Sequence, residues 1–137
     1  MKTAMIDTSV YSAFKAGDPE VIRALARPEK LLVCTTVLGE LLSGFKCGTK
    51  ERANRDELEL FLDTPRVAFA VADDETAEFY SEIFKVLRGK GRPIPTNHMW
   101  IAASALQHGA AVLTLDSHFA CVEGLVVRNP PDSGATS

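Results

Sequence analysis

Apolar residues along this chain keep two rhythms in turn. Residues 2–6, 31–34, 67–71, 111–115 and 125–127 form short, nearly uninterrupted hydrophobic runs, the pattern of strands with no face left for water. Between them apolar positions return every three or four residues. Val37, Leu38, Leu41, Leu42 and Phe45 make such a stripe over 36–45, and Ala77, Tyr80, Phe84 and Leu87 make another over 73–88. A helix is expected to run from Asp7-Thr8-Ser9 to about Lys15. A second is expected over 18–26, with Asp18 as N-cap and Pro19 at the first helical position. Residues 49–62 read as a more polar helix and 97–108 as a helix stopped by Gly109, while Gly89-Lys90-Gly91-Arg92-Pro93 breaks the pattern between its neighbours.

Strands alternating with helices predict right-handed βαβ units and an α/β fold with a mostly parallel sheet covered on both faces. Sites in such sheets form outside the carboxyl ends of the strands. Asp7 follows the first strand directly and Asp116 closes the run 111–115, so these two acids from opposite ends of the chain are expected to converge.

Length and composition narrow the class. The 137 residues suit one domain, and 46% hydrophobic with 24% charged residues is an ordinary globular balance. A chain of this size buries enough surface to fold without a staple. Cys34, Cys47 and Cys121 are odd in number and widely spaced, which predicts reduced thiols. No apolar run approaches the ~20 residues of a membrane helix, and Asp7 interrupts the start before a leader's core could form. A cytoplasmic protein is expected. The net charge of −3 argues against a broad phosphate-gripping surface but not against an enzyme holding a few phosphates through a metal ion.

The candidate chemistry lies in acids. Asp7 suits either an N-cap or a metal-binding carboxylate, with Thr8 or Ser9 offered to a bound phosphate. Glu40 sits in Leu38-Gly39-Glu40-Leu41-Leu42-Ser43-Gly44, among residues that favour burial, which makes sense beside a bound cation. Asp116 in Leu113-Thr114-Leu115-Asp116-Ser117-His118-Phe119 suits a turn taken alone; its place in the set favours a ligand. His98 opens its helix on the face of Ile101, Ala102 and Ala105, as a cap, a core-rim residue or a ligand. Lys85, Arg88, Lys90 and Arg92 cluster at the glycine-rich break, either as solvated surface or as a seat for an RNA backbone, and Lys46, Lys50, Arg52 and Arg55 offer a second such patch.

Asp7-Thr8-Ser9, the Glu40 segment, Pro93-Ile94-Pro95-Thr96-Asn97-His98-Met99-Trp100-Ile101-Ala102-Ala103 and the Asp116 segment, in this order and spacing, resemble VapC-type PIN-domain proteins from Lys2 to about Val127. The resemblance implies a PIN-like three-layer α/β/α domain over 1–128, followed by a flexible tail over 129–137. It also implies an Mg²⁺- or Mn²⁺-dependent endoribonuclease that cleaves tRNA or rRNA stem-loops, the toxin of a toxin–antitoxin pair. A VapB-type antitoxin and a homodimer belong to the same implication. Asp7 and Asp116 would be metal ligands, Glu40 a ligand or the group orienting water, and Thr114 a support for Asp116. His98 departs from the pattern, which has Asp there. Mg²⁺ prefers oxygen and Mn²⁺ tolerates imidazole better, so an altered metal preference is expected. The rival reading is a weakened PIN-like module that binds RNA or a protein without cleavage. A phosphotransferase using Asp7 as nucleophile would want a second Asp where Ser9 stands.

Overall fold

A run of consecutive apolar residues in a strand has to be covered on both sides, and β1 (Thr3–Ile6) is buried at Ala4, Met5 and Ile6 alike. In the computed structural model, which describes residues 2–131, β1 is the centre of a five-stranded sheet. Its partners are β2 (Lys30–Cys34), β3 (Val67–Ala70), β4 (Ala111–Leu113) and β5 (Val127–Arg128), in the order β3-β2-β1-β4-β5. Every pairing is parallel, so the expectation of a mostly parallel sheet becomes an all-parallel one.

Among the described residues six α-helices flank the sheet and complete the α/β/α sandwich: α1 (Thr8–Lys15), α2 (Pro19–Ala26), α3 (Thr35–Cys47), α4 (Glu51–Leu62), α5 (Asp74–Gly89) and α6 (Thr96–Gln107). Asp18 caps α2 through the backbone N–H groups of Glu20 and Val21, with Pro19 at the first position as its sequence signature predicts. One core joins both faces, with Met5, Val10, Val37, Ile101, Leu113 and Phe119 all essentially inaccessible. Among the described residues no helix is long and apolar enough to cross a membrane.

The strand order places a switch point beside β1. From β1 the chain steps out to β2 and β3, then returns to the other side of β1 to lay down β4 and β5. Connections on the two sides leave in opposite directions, so a crevice opens at the carboxyl ends of β1 and β4. The register sets what meets there. Met5 lies beside Val112 and Ile6 beside Leu113, and the Asp7 N–H donates to the Leu113 carbonyl at 3.2 Å.

Element ends fall within about two residues of expectation, and the differences at β4 and β5 are the ones that bear on the site. β4 stops at Leu113 rather than 115: the Thr114 N–H still donates to the Arg128 carbonyl at 3.0 Å, but the Leu115 N–H turns to the Ser9 hydroxyl, and Asp116 caps a 3₁₀ turn, Ser117–Cys121, that apolar periodicity does not predict. β5 is Val127–Arg128 rather than 125–127. Of the expected tail, Asn129 donates its amide to the Thr114 carbonyl at 2.7 Å and Pro130 is buried, while 132–137 lie outside the described residues.

α6 is held against α5 at both ends of their contact. Tyr80 stacks on Trp100 with ring centroids 4.2 Å apart. At the start of α5, Asp73 and Thr76 form a capping box, and Gln107 of α6 donates to Asp73 at 3.0 Å. The Thr76 N–H first, then Gln107 and the Thr76 hydroxyl, hold the Asp73 carboxyl below its ordinary 3.8. A carboxyl acidified by folding contributes stability above its unfolded value and loses it as pH falls through the folded one. Wild type should therefore exceed Asp73→Asn in urea-unfolding free energy by a constant margin from neutral pH down to about 5, a margin that narrows below 3.8. A margin independent of pH would refute this account of the cap.

Candidate active site

The carboxyl end of the sheet gathers acids through hydroxyl groups. Asp7 leaves β1 as the N-cap of α1, its Oδ1 accepting the Val10 N–H at 3.1 Å and the Ser9 hydroxyl at 2.6 Å. Both readings of this residue thus start from one geometry, since a cap also fixes a carboxylate in place. Its Oδ2 accepts a short hydrogen bond from Thr114, which is wholly buried; Asp7 itself is only 3% exposed. The same Thr114 oxygen accepts the Asp116 N–H at 2.9 Å, so one hydroxyl spans the acid after β1 and the acid after β4.

Glu40 reaches the crevice from the first half of α3. Thr8, next to Asp7, donates to one of its oxygens, and the Asn97 amide donates to the other at 2.6 Å from the start of α6. Asn97 and His98 therefore stand where α6 meets α3. His98 Nε2 lies 3.6 Å from Asp116 Oδ2, and its ring packs 4.8 Å, centroid to centroid, from the buried Phe119. Asp116 Oδ1 caps the 3₁₀ turn through the His118 N–H at 2.8 Å and lies 3.1 Å from His118 Nδ1.

This geometry sorts the expected residues. Asp7, Ser9, Thr114, Asp116 and His98 belong to one contact network, and Glu40 with Thr8 and Asn97 forms a second beside it, joined through the backbone at Asp7-Thr8 and Asn97-His98. The structure does not close Asp7, Glu40 and Asp116 into one tight ligand group: among the described residues the ligand atoms that all lie within 4.8 Å of one another are those of His98, Asp116 and His118. Thr8 and Ser9, expected to offer hydroxyls to a phosphate, direct their protons to Glu40 and Asp7, because these acids sit within reach on the same turn and the facing helix. Ser9 also accepts the Leu115 N–H at 3.1 Å. The Thr114 hydroxyl accepts the Asp116 N–H and donates to Asp7.

Lys85, Arg88, Lys90 and Arg92 are all exposed. Lys90 is paired with Glu123 at 3.2 Å, and Arg92 shares a cleft with Ile94, Ser117 and His118. Of the second patch, Lys46 and Arg55 pair with Glu51. Sequence reading passes over Asn97 and His118 as functional residues; their signals are adjacency to His98 and a two-residue step from Asp116. Cys34 ends β2 close by, and burial pushes its thiol up, which keeps it protonated and unsuited to act as a nucleophile.

Electrostatically the site is distinctive. The donors to Asp7 and Glu40 are neutral: hydroxyls, an amide and a backbone N–H. The ion pairs of Asp116 are with histidine rings, while Lys15, Lys46, Arg55 and Lys90 pair with glutamates elsewhere. The groups that could hold a divalent cation here are hard carboxylate oxygens from three elements, with imidazole beside one of them, although Asp7, Glu40 and Asp116 do not close into one tight ligand group.

Comparison with known proteins gives a PIN-domain family model matching residues 4–125. Ribonuclease VapC4 of Mycobacterium tuberculosis is 28% identical over 129 residues, covering 93% of this chain and 96% of that protein. Ribonuclease VapC5 of the same organism is 27% identical over 120 residues, covering 88% and 87%. Among solved structures, VapBC2 from Rickettsia felis bound to a promoter DNA fragment superposes with a TM-score of 0.82 at 22% identity, over 93% of this chain and 98% of that one.

The Thr114 bridge is directly testable. Thr114→Val keeps the side-chain shape but leaves a buried carboxylate and the Asp116 N–H without their partner, which should cost about 1–3 kcal/mol in urea unfolding. Thr114→Ser should restore most of it. Equal stability of all three proteins would mean that the hydroxyl joins nothing of consequence.

Proposed function

This chain belongs to the PIN-domain family, and we propose that it is a divalent-metal-dependent endoribonuclease, the toxin of a VapBC-type pair. The observation that carries the reading is the set of carboxylates Asp7, Glu40 and Asp116 at one end of the sheet, with Asp7 and Glu40 bonded to neutral donors and Asp116 beside two histidine rings. Like charges gathered this way repel unless a cation joins them. Relatives named as VapC ribonucleases, aligned over most of both chains, support the same activity.

Asp7 and Asp116 would hold the ion, Mg²⁺ or Mn²⁺, with Glu40 at its edge. When bound, the ion supplies positive charge to the phosphodiester oxygens and acidifies nearby water. The protein's own contribution is placement. Thr114 keeps Asp7 and Asp116 in register. Thr8 and Asn97 hold both Glu40 oxygens, and because a carboxylate has about four lone-pair positions, Glu40 retains room to accept a proton from water. Arg92, exposed beside His118, is suited to a phosphate of the substrate backbone, with Lys85, Arg88 and Lys90 extending the same face.

The substrate is structured RNA, tRNA or rRNA, cleaved by hydrolysis in the cytoplasm. A VapB-type antitoxin is the partner that would silence the site, and the active protein is a homodimer. The domain extends over 1–128. His98, in place of an acid, favours the second reading of a module that binds without cutting, and one assay separates the two.

Purified protein should cleave total RNA with Mg²⁺ or Mn²⁺ and stop when a chelator is added. Asp7→Asn and Asp116→Asn should each slow cleavage on the order of a hundredfold while circular dichroism stays unchanged. Cleavage that survives both substitutions or the chelator would refute the metal-dependent reading. RNA binding without cleavage under every condition would establish the module instead.

A further inference from the structure

We propose that His98, Asp116 and His118 form a two-histidine, one-carboxylate site for a borderline transition-metal dication, with Zn²⁺ the best fit. One ligand atom from each residue lies within 4.8 Å of the others, and no other group of three does so among the described residues. His118 Nδ1 is 3.1 Å from Asp116 Oδ1 and 3.3 Å from His98 Nδ1, while His98 Nε2 is 3.6 Å from Asp116 Oδ2. These three separations use both ring nitrogens of His98 and both oxygens of Asp116 and show the groups in mutual contact. Zinc takes one atom from each residue, with ligands about 3.3–3.4 Å apart in a tetrahedron, so side-chain rotation has to draw the set that lies within 4.8 Å to that spacing.

The chemistry separates this position from an ordinary magnesium site. Imidazole nitrogen suits zinc, nickel and copper, whereas Mg²⁺ demands oxygen and keeps its waters. His118 Nδ1 can bring at most one proton to share between Asp116 and His98. A dication takes the facing lone pairs together and neutralises the carboxylate as well.

The ligands are also held in advance. Asp116 is fixed through its N–H by Thr114 and through Oδ1 by the His118 N–H. His98 rests on the buried ring of Phe119, with its side chain only 14% exposed. The His118 side chain is 52% exposed, which leaves the site an entry path and open positions for solvent. The cleft that His118 shares with Arg92, Ile94 and Cys121 lies on that open side.

The inference goes beyond the nuclease reading, sharing Asp116 with it and taking up His98, the position where that reading expects an acid, so binding alone tests it. Metal-free full-length protein should take up one equivalent of Zn²⁺ in competition with a chromogenic chelator. It should also develop the visible absorption of bound Co²⁺ when that ion is used as the probe. His98→Ala and His118→Ala should each weaken Zn²⁺ binding at least about tenfold, and a hundredfold excess of Mg²⁺ should displace none of it. His118→Ala removes a half-exposed side chain and is the control least able to disturb the fold. Asp7→Asn should slow RNA cleavage as above yet leave the Zn²⁺ isotherm unchanged, which keeps failure of the nuclease reading distinct from failure of this one. Zn²⁺ affinity unaffected by both histidine substitutions, lost in Asp7→Asn, or no greater than that for Mg²⁺ would overturn the site.

Discussion

The pairing of β1 with β4 governs what happens at the crevice. In parallel strands a residue's neighbour is set by register, and Ile6 beside Leu113 leaves Asp7 facing Thr114 just beyond the last ladder bonds. Slipping β1 by one residue would turn its side chains to the opposite face and separate Asp7 from Thr114. The burial of Ala4, Met5 and Ile6 on both faces makes such a slip costly. The hydrophobic core thereby specifies the position of a carboxylate.

Beyond the ladder, the backbone trades strand bonds for side-chain bonds. Leu115 and Asp116 give their N–H groups to the Ser9 and Thr114 hydroxyls, and His118 gives its own to Asp116. Each is a donor that a longer strand would have used for pairing. Ending β4 early leaves Asp116 free to turn into the crevice, where the 3₁₀ turn then buries Phe119 beneath His98. The loop's irregularity is therefore what brings Asp116 and both histidines together.

Legibility in the sequence follows the range of the interactions. Elements whose reasons are local read well: Asp18-Pro19 opens α2, the Val37–Leu41–Phe45 stripe marks α3, and the apolar runs mark the strands to within two residues. The acids at strand ends also read well, because parallel topology alone brings strand termini together. What does not read is whatever depends on contact across the fold. Thr8 and Ser9 look available to a ligand until their distant or neighbouring acids are placed, and the end of β4 depends on Ser9, more than a hundred residues away. Asn97 and His118 stay silent for the same reason, since polar residues in loops have many uses and only packing selects one. Asp73, by contrast, is a legible cap whose tie to Gln107 is not.

Position 98 shows how narrowly such a site can be altered. The start of α6 does not depend on that side chain: Pro95 is the N-cap residue, and Asn97 reaches Glu40 by its own amide. Imidazole there, where the family pattern has a carboxylate, leaves the scaffold in place while removing one negative charge and one hard oxygen. A nitrogen then stands beside a second histidine that the 3₁₀ turn already holds against Asp116. The fold fixes where a cation would be gathered, and residue 98 bears on which cation. Metal preference is in that sense separable from architecture, because the hydroxyl bridges that hold the acids do not pass through the ring that distinguishes this chain.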